Sequence, residues 1–310
     1  MGVQRWRTGR HDGDAMAKLV KDLNKFYLKM MFYGRPGSLK TRTVGSAAMD
    51  PRLSPCLMLS MHGNPISLRG NDQLPTIIEI TEMRDFNDIY TFLANGQQKV
   101  HPLWTALNLT EPFKSLVIDG ATNVNYKAFD LITGWEGDDN FERLSANTEP
   151  GHYKQNMDTM MHWAGKFVSL ADLDAKLPVH VLMTALEREP AIDFRSRQGK
   201  AEGQRGPSPA SMLYRPSFLG QAGVLIEGLV EAIARMVPVS RFDTEDRAQL
   251  KPRPGAKFAA IWLPGDDFVA KDQVSRHQLG AVTYDPTMTT IMDVIYGTVG
   301  EPLPTTQGAK

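Results

Sequence analysis

Residues 34–41, of sequence GRPGSLKT, carry the residue types in this chain that are best suited to binding phosphate. A glycine-containing turn that ends in Lys-Thr can wrap backbone N–H groups around phosphates, with the lysine on the terminal phosphates and the hydroxyl on Mg²⁺. The apolar segment before this turn and the helical pattern after it are the context that a P-loop requires. The sequence therefore predicts a nucleotide site at Gly34, Arg35, Pro36, Gly37, Ser38, Leu39, Lys40, Thr41 and Arg42.

Leu39 departs from the pattern G-x-x-x-x-G-K-[ST], which has glycine before the lysine. Glycine is favoured there because the backbone passes close to phosphate and leaves little room for a side chain. Leu39 either impedes binding or, if its φ is negative, points away from the phosphate. Taken alone, the eight residues are equally consistent with an ordinary turn between a strand and a helix.

Asp119 ends the apolar segment SLVID, about 80 residues beyond the loop. An acid at the carboxyl end of a neighbouring parallel strand can hold the water shell of Mg²⁺ opposite the P-loop hydroxyl. We therefore predict Thr41 and Asp119 as the metal-binding pair, with ATP and Mg²⁺ as cofactors. The alternative is that Asp119 caps the helix that follows it.

Short apolar segments that alternate with helical patterns must position these residues. Such alternation predicts an α/β fold, with a mostly parallel sheet flanked by helices on both faces. The predicted strands are 26–33, 56–61, 76–80, 115–119, 179–186 and 257–263. The predicted helices are 15–24, 41–49, 86–95, 126–133, 155–176 and 221–236.

The composition of the chain is that of a folded globular protein. Of its 310 residues, 42% are hydrophobic and 23% are charged, which argues against global disorder and fibrous repeats. Cys56 is the single cysteine, which excludes an internal disulfide framework and favours a reducing compartment. Since no apolar run is long enough to span a bilayer, we expect no membrane association and a cytoplasmic location.

Residues 188–217 form a segment rich in Arg, Gly, Pro and Ser, although basic and acidic residues balance at 35 each over the whole chain. Phe194 and Tyr214 in this segment are suited to stacking on bases, and its basic side chains are suited to contacting phosphates. The sequence thus predicts a contact with single-stranded DNA, and a solvated connector is the alternative. The candidate DNA-binding residues are Arg195, Arg197, Lys200, Arg205 and Arg215.

The order and spacing of six segments resemble phage-encoded RecA-like P-loop proteins, which bind single-stranded DNA and promote annealing or recombination. The segments are FYGRPGSLKT, LMLSMHGNP, SLVIDGAT, LPVHVLMTALE, PSFLGQAGVLIEGLVEAIARM and FVAKDQ. The resemblance implies a RecA-like P-loop NTPase core over residues 25–300, after an N-terminal extension at 1–24 and before a tail at 301–310. It also implies a ring or filament of identical subunits with ATP between them, in the cytoplasm of an infected bacterial host cell.

The resemblance further implies catalytic roles for His62, Asp119 and Lys271. His62 stands where relatives carry a glutamate that orients the attacking water, and a loop histidine with a structural role is the alternative. Lys271 matches the first residue of a Lys-x-Arg pair that reaches the γ-phosphate of the next subunit, but Gln273 replaces the arginine. Since Leu39, His62 and Gln273 all affect the hydrolysis machinery, we expect an ATPase with slow or absent turnover.

Two other functions stay open at this point. A degenerate P-loop protein with a structural or assembly role would explain the same three departures. A small-molecule kinase is a weaker alternative, because no arginine-rich lid or acceptor-site pattern follows the loop.

Overall fold

The computed structural model describes residues 26–61, 63, 65–133, 150–188, 213–219, 221–241, 255–265, 268–275 and 279–297. Over these residues the chain forms a large sheet with helices on both of its faces, which confirms the predicted α/β class. The strands are β1 (Lys29–Gly34), β2 (Cys56–Ser60), β3 (Thr76–Glu79), β4 (Ser115–Asp119), β5 (His180–Arg188), β6 (Arg215–Pro216), β7 (Ala232–Pro238), β8 (Phe258–Ile261), β9 (Lys271–Asp272) and β10 (Val282–Tyr284).

The sheet is mostly parallel. Its strand order is β10-β8-β7-β1-β5-β4-β2-β3, and the run from β7 to β3 is parallel throughout. The short strands β6 and β9 pair in antiparallel fashion with β5 and β7. Because β5 lies between β1 and β4, the P-loop and Asp119 follow strands that flank β5 on either side.

Helices cover both faces of this sheet. They are α1 (Lys40–Gly45), α2 (Asp85–Ala94), α3 (Pro102–Ala106), α4 (Ala121–Thr133), α5 (Pro150–Ser169), α6 (Ala222–Leu229) and α7 (Met288–Ile295). Single turns of 3₁₀-helix occur at Ser46–Met49, Ile66–Leu68 and Val239–Arg241. Among the described residues, no helix has both the length and the apolar character needed to cross a membrane.

Two buried clusters lie on opposite faces of the sheet. Alternate residues of the central strands enter each cluster, as Phe32 and Tyr33 of β1 illustrate. The Phe32 face packs against α1 and α7, and the Tyr33 face packs against α2, α4, α5 and α6. Burial on both faces explains why these strands are continuous apolar runs without alternation.

The predicted helix at 221–236 is wrong in its second half. Helix α6 ends at Leu229, and β7 begins at Ala232. The residues AIARM suit a helix by pattern, but they pair with β1 on one side and with β8 on the other. Because β7 is buried in the sheet, its sequence lacks the period-two pattern that identifies a strand. The predicted helix at 15–24 lies outside the described residues.

Candidate nucleotide-binding site

The loop that follows β1 connects directly to α1, as the P-loop pattern requires. Gly34 ends β1, and a Cβ atom there would lie 2.3 Å from the Met236 carbonyl oxygen of the neighbouring strand β7. Gly37 has a φ of +78°, a conformation that side chains disfavour. Side chains are therefore disfavoured at both positions. Gly34 allows β1 to pack closely against β7, and Gly37 allows the positive φ of the loop.

Leu39 is held in the left-handed region, with a φ of 62° and a ψ of 17°, immediately before α1. The condition under which its side chain would avoid the phosphate, a negative φ, is not met. A non-glycine residue in this region costs about 1–2 kcal/mol. The backbone thus has the conformation that suits the glycine of the pattern, although the residue there is leucine.

Lys40 is buried, and its ammonium group closes the loop on itself. Its Nζ donates to the carbonyl oxygens of Gly34 and Arg35, each at 2.8 Å, and contacts Ser38 Oγ at 3.3 Å. Burial lowers the pKa of Lys40 to about 8, against the opposing influence of Asp119 and Glu187. Among the described residues the hydrogen-bond partners of this buried ammonium are all neutral oxygens, so it is well placed to gain an anionic partner.

Thr41 and Asp119 meet across the ends of β1 and β4. Thr41 Oγ1 donates to the Asp119 carboxylate, at 2.9 Å from Oδ1 and 3.1 Å from Oδ2. Asp119 is only 5% exposed, and its Oδ1 also accepts a hydrogen bond from Thr184 Oγ1 at 2.6 Å. The two residues predicted to bind the metal are therefore in direct contact, and both offer oxygen, the ligand atom that Mg²⁺ prefers.

Glu187 links the loop to β7. Its carboxylate lies 2.7 Å from Arg235 Nε and 3.5 Å from Arg35 Nε, and its side chain is 3% exposed. The guanidinium of Arg235 also lies 4.0 Å from the ring centre of Tyr214. Arg35 of the predicted site is thereby connected to β7, whose local sequence predicts a helix. Arg235 was missed for that reason, although a lone arginine in the apolar run AIARMV was an available signal.

The other predicted residues lie elsewhere. Lys271 Nζ donates to the Val230 carbonyl oxygen at 2.7 Å, at the amino end of β7. Since β7 runs parallel to β1, this position is at the edge of the sheet opposite the P-loop. Lys271 therefore lies away from the P-loop of its own chain. His62 lies outside the described residues.

Of the predicted DNA-binding residues, Arg215 is described, in the short strand β6 that pairs with the end of β5. Its guanidinium forms an ion pair with Glu227 of α6 at 2.7 Å, and both side chains are 12% exposed. Arg215 is thus held within the fold by its ion pair with Glu227. The remaining four, Arg195, Arg197, Lys200 and Arg205, lie outside the described residues.

A cavity of about 500 Å³ lies at the amino ends of the central strands, away from the P-loop. Its lining includes Tyr27, Arg52, Lys114, His180 and Tyr296. It therefore belongs to a different part of the molecule from the residues that the sequence predicted for nucleotide binding.

Comparison with known proteins gives matches to solved structures, without a match to a protein family. No protein-family model and no curated protein matches it. Among the solved structures similar to it is a crystal structure of the RadB recombinase, at 9% identity and a TM-score of 0.33. That similarity covers 76% of this chain and 81% of the other. A likeness at this level carries no argument about function, which must come from the site itself.

Proposed function

We propose that this chain binds ATP with Mg²⁺ in a RecA-like P-loop core. The observation that carries the proposal is the contact between Thr41 and Asp119, two residues 78 positions apart that the sequence predicts for one metal site. A helix-capping aspartate would have no reason to meet the hydroxyl of the loop. The lysine, hydroxyl and carboxylate of the pattern all lie at the carboxyl edge of the parallel sheet, where ligands bind in such folds.

Each residue has a defined task in this proposal. Lys40 exchanges the carbonyl oxygens of Gly34 and Arg35 for phosphate oxygens and keeps its charge in doing so. Thr41 donates a hydrogen bond to Asp119 and retains oxygen lone pairs for the metal. Mg²⁺, when bound with the nucleotide, supplies the charge that offsets the phosphate oxygens.

The wider function that we propose is ATP-dependent binding of single-stranded DNA in phage annealing or recombination, by a ring or filament of this chain. The resemblance of six sequence segments and the basic character of residues 188–217 support it. Strands β5 and β6 bring the two ends of that segment together beside the P-loop. A DNA-binding segment there would lie close to bound nucleotide.

A degenerate P-loop with a structural or assembly role is the second candidate. The leucine side chain at position 39 and the hydrogen bonds of Lys40 to its own loop favour it, because both oppose the entry of phosphate. The departures at His62 and Gln273 affect hydrolysis rather than binding. A measurement of ATP affinity, followed by a measurement of ATP turnover, therefore distinguishes the two candidate functions.

The test is ATP binding measured by titration calorimetry on the full chain with Mg²⁺, for the wild type and for Lys40→Ala. We expect the substitution to weaken binding about 10- to 100-fold, since hydrogen bonds to charged groups contribute roughly 1.5–3 kcal/mol. Lys29→Ala is the matched control, because Lys29 is a half-buried lysine at the other end of β1, paired with Asp172. Equal affinity in wild type and Lys40→Ala would refute the assignment of the loop.

Hydrolysis with and without single-stranded DNA then separates the two candidate functions. DNA-stimulated turnover that is lost in Lys40→Ala would support a working RecA-like ATPase. ATP binding without turnover, in a protein indifferent to DNA, would support the structural role.

A further inference from the structure

Thr184 lies on the strand between β1, which leads into the P-loop, and β4, which carries Asp119. It lies on β5, where the register places it beside Phe32 of β1 and beside Asp119 of β4. Its side chain is on the face of the sheet that α1 covers, and the residue is 2% exposed. Because β5 pairs directly with β4, a side chain at this position can reach groups at the carboxyl end of β4.

Both hydrogen-bonding functions of the Thr184 hydroxyl are used. Its Oγ1 accepts the backbone N–H of Gly120 at 2.9 Å and donates to Asp119 Oδ1 at 2.6 Å. The N–H can only donate, so the hydroxyl proton must point to the carboxylate. Gly120 has a φ of +102° and is where the chain turns from β4 into α4. Thr184 therefore connects the acid to a fixed point of the backbone.

The two oxygens of the Asp119 carboxylate have different hydrogen bonds. Asp119 Oδ1 accepts from both Thr41 and Thr184, whereas Oδ2 has only the longer contact with Thr41, at 3.1 Å, among the described residues. Two neutral hydroxyl donors hold the rotation of the carboxylate without cancelling its charge. Oδ2 is then the oxygen left to receive the water shell of a metal.

We propose that Thr184 is a positioning residue that fixes the Asp119 carboxylate so that its Oδ2 faces bound Mg²⁺. The proposal rests on the proposed function, because it assumes that a metal–nucleotide complex binds beside Thr41 and Asp119. According to this proposal, Thr184 affects the binding of Mg²⁺ and makes no contribution to the binding of the phosphates. The quantity that it predicts to change is the gain in ATP affinity on adding Mg²⁺.

The experiment compares ATP binding by calorimetry in EDTA and in Mg²⁺, for the wild type, Thr184→Val and Thr184→Ser. Valine keeps the branched shape and removes the hydroxyl, whereas serine keeps the hydroxyl. We expect Thr184→Val to bind ATP in EDTA within about twofold of the wild type and to lose about tenfold of the Mg²⁺-dependent gain. Thr184→Ser should retain most of that gain.

Thr283→Val is the control for the general loss of a buried threonine hydroxyl. Thr283 accepts the indole N–H of Trp262 at 3.0 Å, and it lies on β10, at the far end of the sheet from β4. We expect this variant to unfold at a lower temperature with an unchanged gain from Mg²⁺. A purely structural role for Thr184 would produce the same pattern in Thr184→Val.

The outcomes distinguish the two claims. If the wild type gains affinity with Mg²⁺ and Thr184→Val gains as much, the positioning role is wrong and the proposed function stands. If the wild type has no affinity for ATP in either buffer, the proposed function is wrong, and the proposed role of Thr184 is wrong as well.

Discussion

The ammonium nitrogen of Lys40 lies 2.8 Å from the carbonyl oxygen of Gly34, the residue that ends β1. This hydrogen bond folds the lysine back on the loop that it is proposed to serve. The bond partner is neutral, so the buried charge is only partly compensated, and burial lowers the pKa of Lys40 to about 8. Phosphate would provide the compensation that the loop carbonyls do not.

The lowered pKa of Lys40 predicts a pH dependence of ATP binding. Bound phosphate favours the charged lysine, so the pKa of Lys40 is higher in the complex than the value of about 8 in the free protein. Affinity should therefore be constant below pH 8 and fall up to tenfold per pH unit above it. Calorimetry between about pH 7 and about pH 10 measures this fall.

Lys40→Arg is the matched variant for the pH experiment, because arginine stays charged over this range. Its ATP affinity should be lower than that of the wild type but flatter with pH. A wild-type profile that is as flat as that of Lys40→Arg would mean that the Lys40 ammonium does not contact the nucleotide.

Leu39→Gly restores the P-loop pattern at a residue whose φ is 62°. Glycine adopts this conformation without the penalty of roughly 1–2 kcal/mol and removes the side chain from the path of the phosphate. We expect ATP affinity to rise several-fold. Stability should change by less than about 1 kcal/mol, since glycine also loses more backbone entropy on folding.

Leu39→Ala separates the two causes of that gain, because alanine removes the bulk of leucine and keeps the disfavoured φ. If both variants bind ATP equally well, the bulk of Leu39 is what limits binding. If neither exceeds the wild type, the leucine does not hinder the nucleotide and this departure from the pattern has no effect on affinity.

Local sequence predicted the features of this site that depend on neighbouring residues. The glycines, Lys40 and Thr41 are contiguous, and Asp119 ends a strand that is apolar on both faces. The role of Thr184 depends on the register between β4 and β5, which no local pattern encodes. For the same reason the local sequence of β7 predicts a helix, since only its pairing with β1 and β8 identifies it as a strand.

Arg215 and the arginines of the basic segment should behave differently when replaced by alanine. Arg215 is paired with Glu227 inside the fold, so Arg215→Ala leaves a carboxylate that is largely buried and unpaired. We expect it to lower the free energy of unfolding by about 2–3 kcal/mol, somewhat less than for a fully buried pair. Urea denaturation measures this loss, which the double variant Arg215→Met with Glu227→Leu should partly restore.

Replacing Arg195, Arg197 and Arg205 together by alanine should weaken binding to single-stranded DNA. Three lost phosphate contacts should reduce the slope of log affinity against log salt by about 2, at roughly 0.7 per contact. Titration of a labelled oligonucleotide at several salt concentrations measures the slope. An unchanged slope would mean that the segment is a connector, and a slope that changes only in Arg215→Ala would reverse our assignment.

His180 should make the fold sensitive to acid. Its Nδ1 accepts the backbone N–H of Leu28 at 3.0 Å, and burial lowers its pKa from 6.5 to about 4, with Asp50 acting in the opposite direction. Between these two pH values the unfolded chain binds a proton that the folded chain does not. The contribution of His180 to the free energy of unfolding is therefore at its full value above pH 6.5. It decreases as the pH is lowered towards the folded-state pKa of about 4, by roughly 3 kcal/mol in total.

Urea denaturation of the wild type and of His180→Asn between about pH 7 and about pH 5 tests this expectation. The asparagine side chain retains an acceptor for the Leu28 N–H and cannot be protonated in this range. The variant should be less stable than the wild type at neutral pH and should lose less stability on acidification. His101→Asn is the control, because His101 Nδ1 also accepts a backbone N–H, from Leu103. Equal acid sensitivity in the wild type and His180→Asn would assign the loss to other groups, and the burial of His180 would then have no part in it.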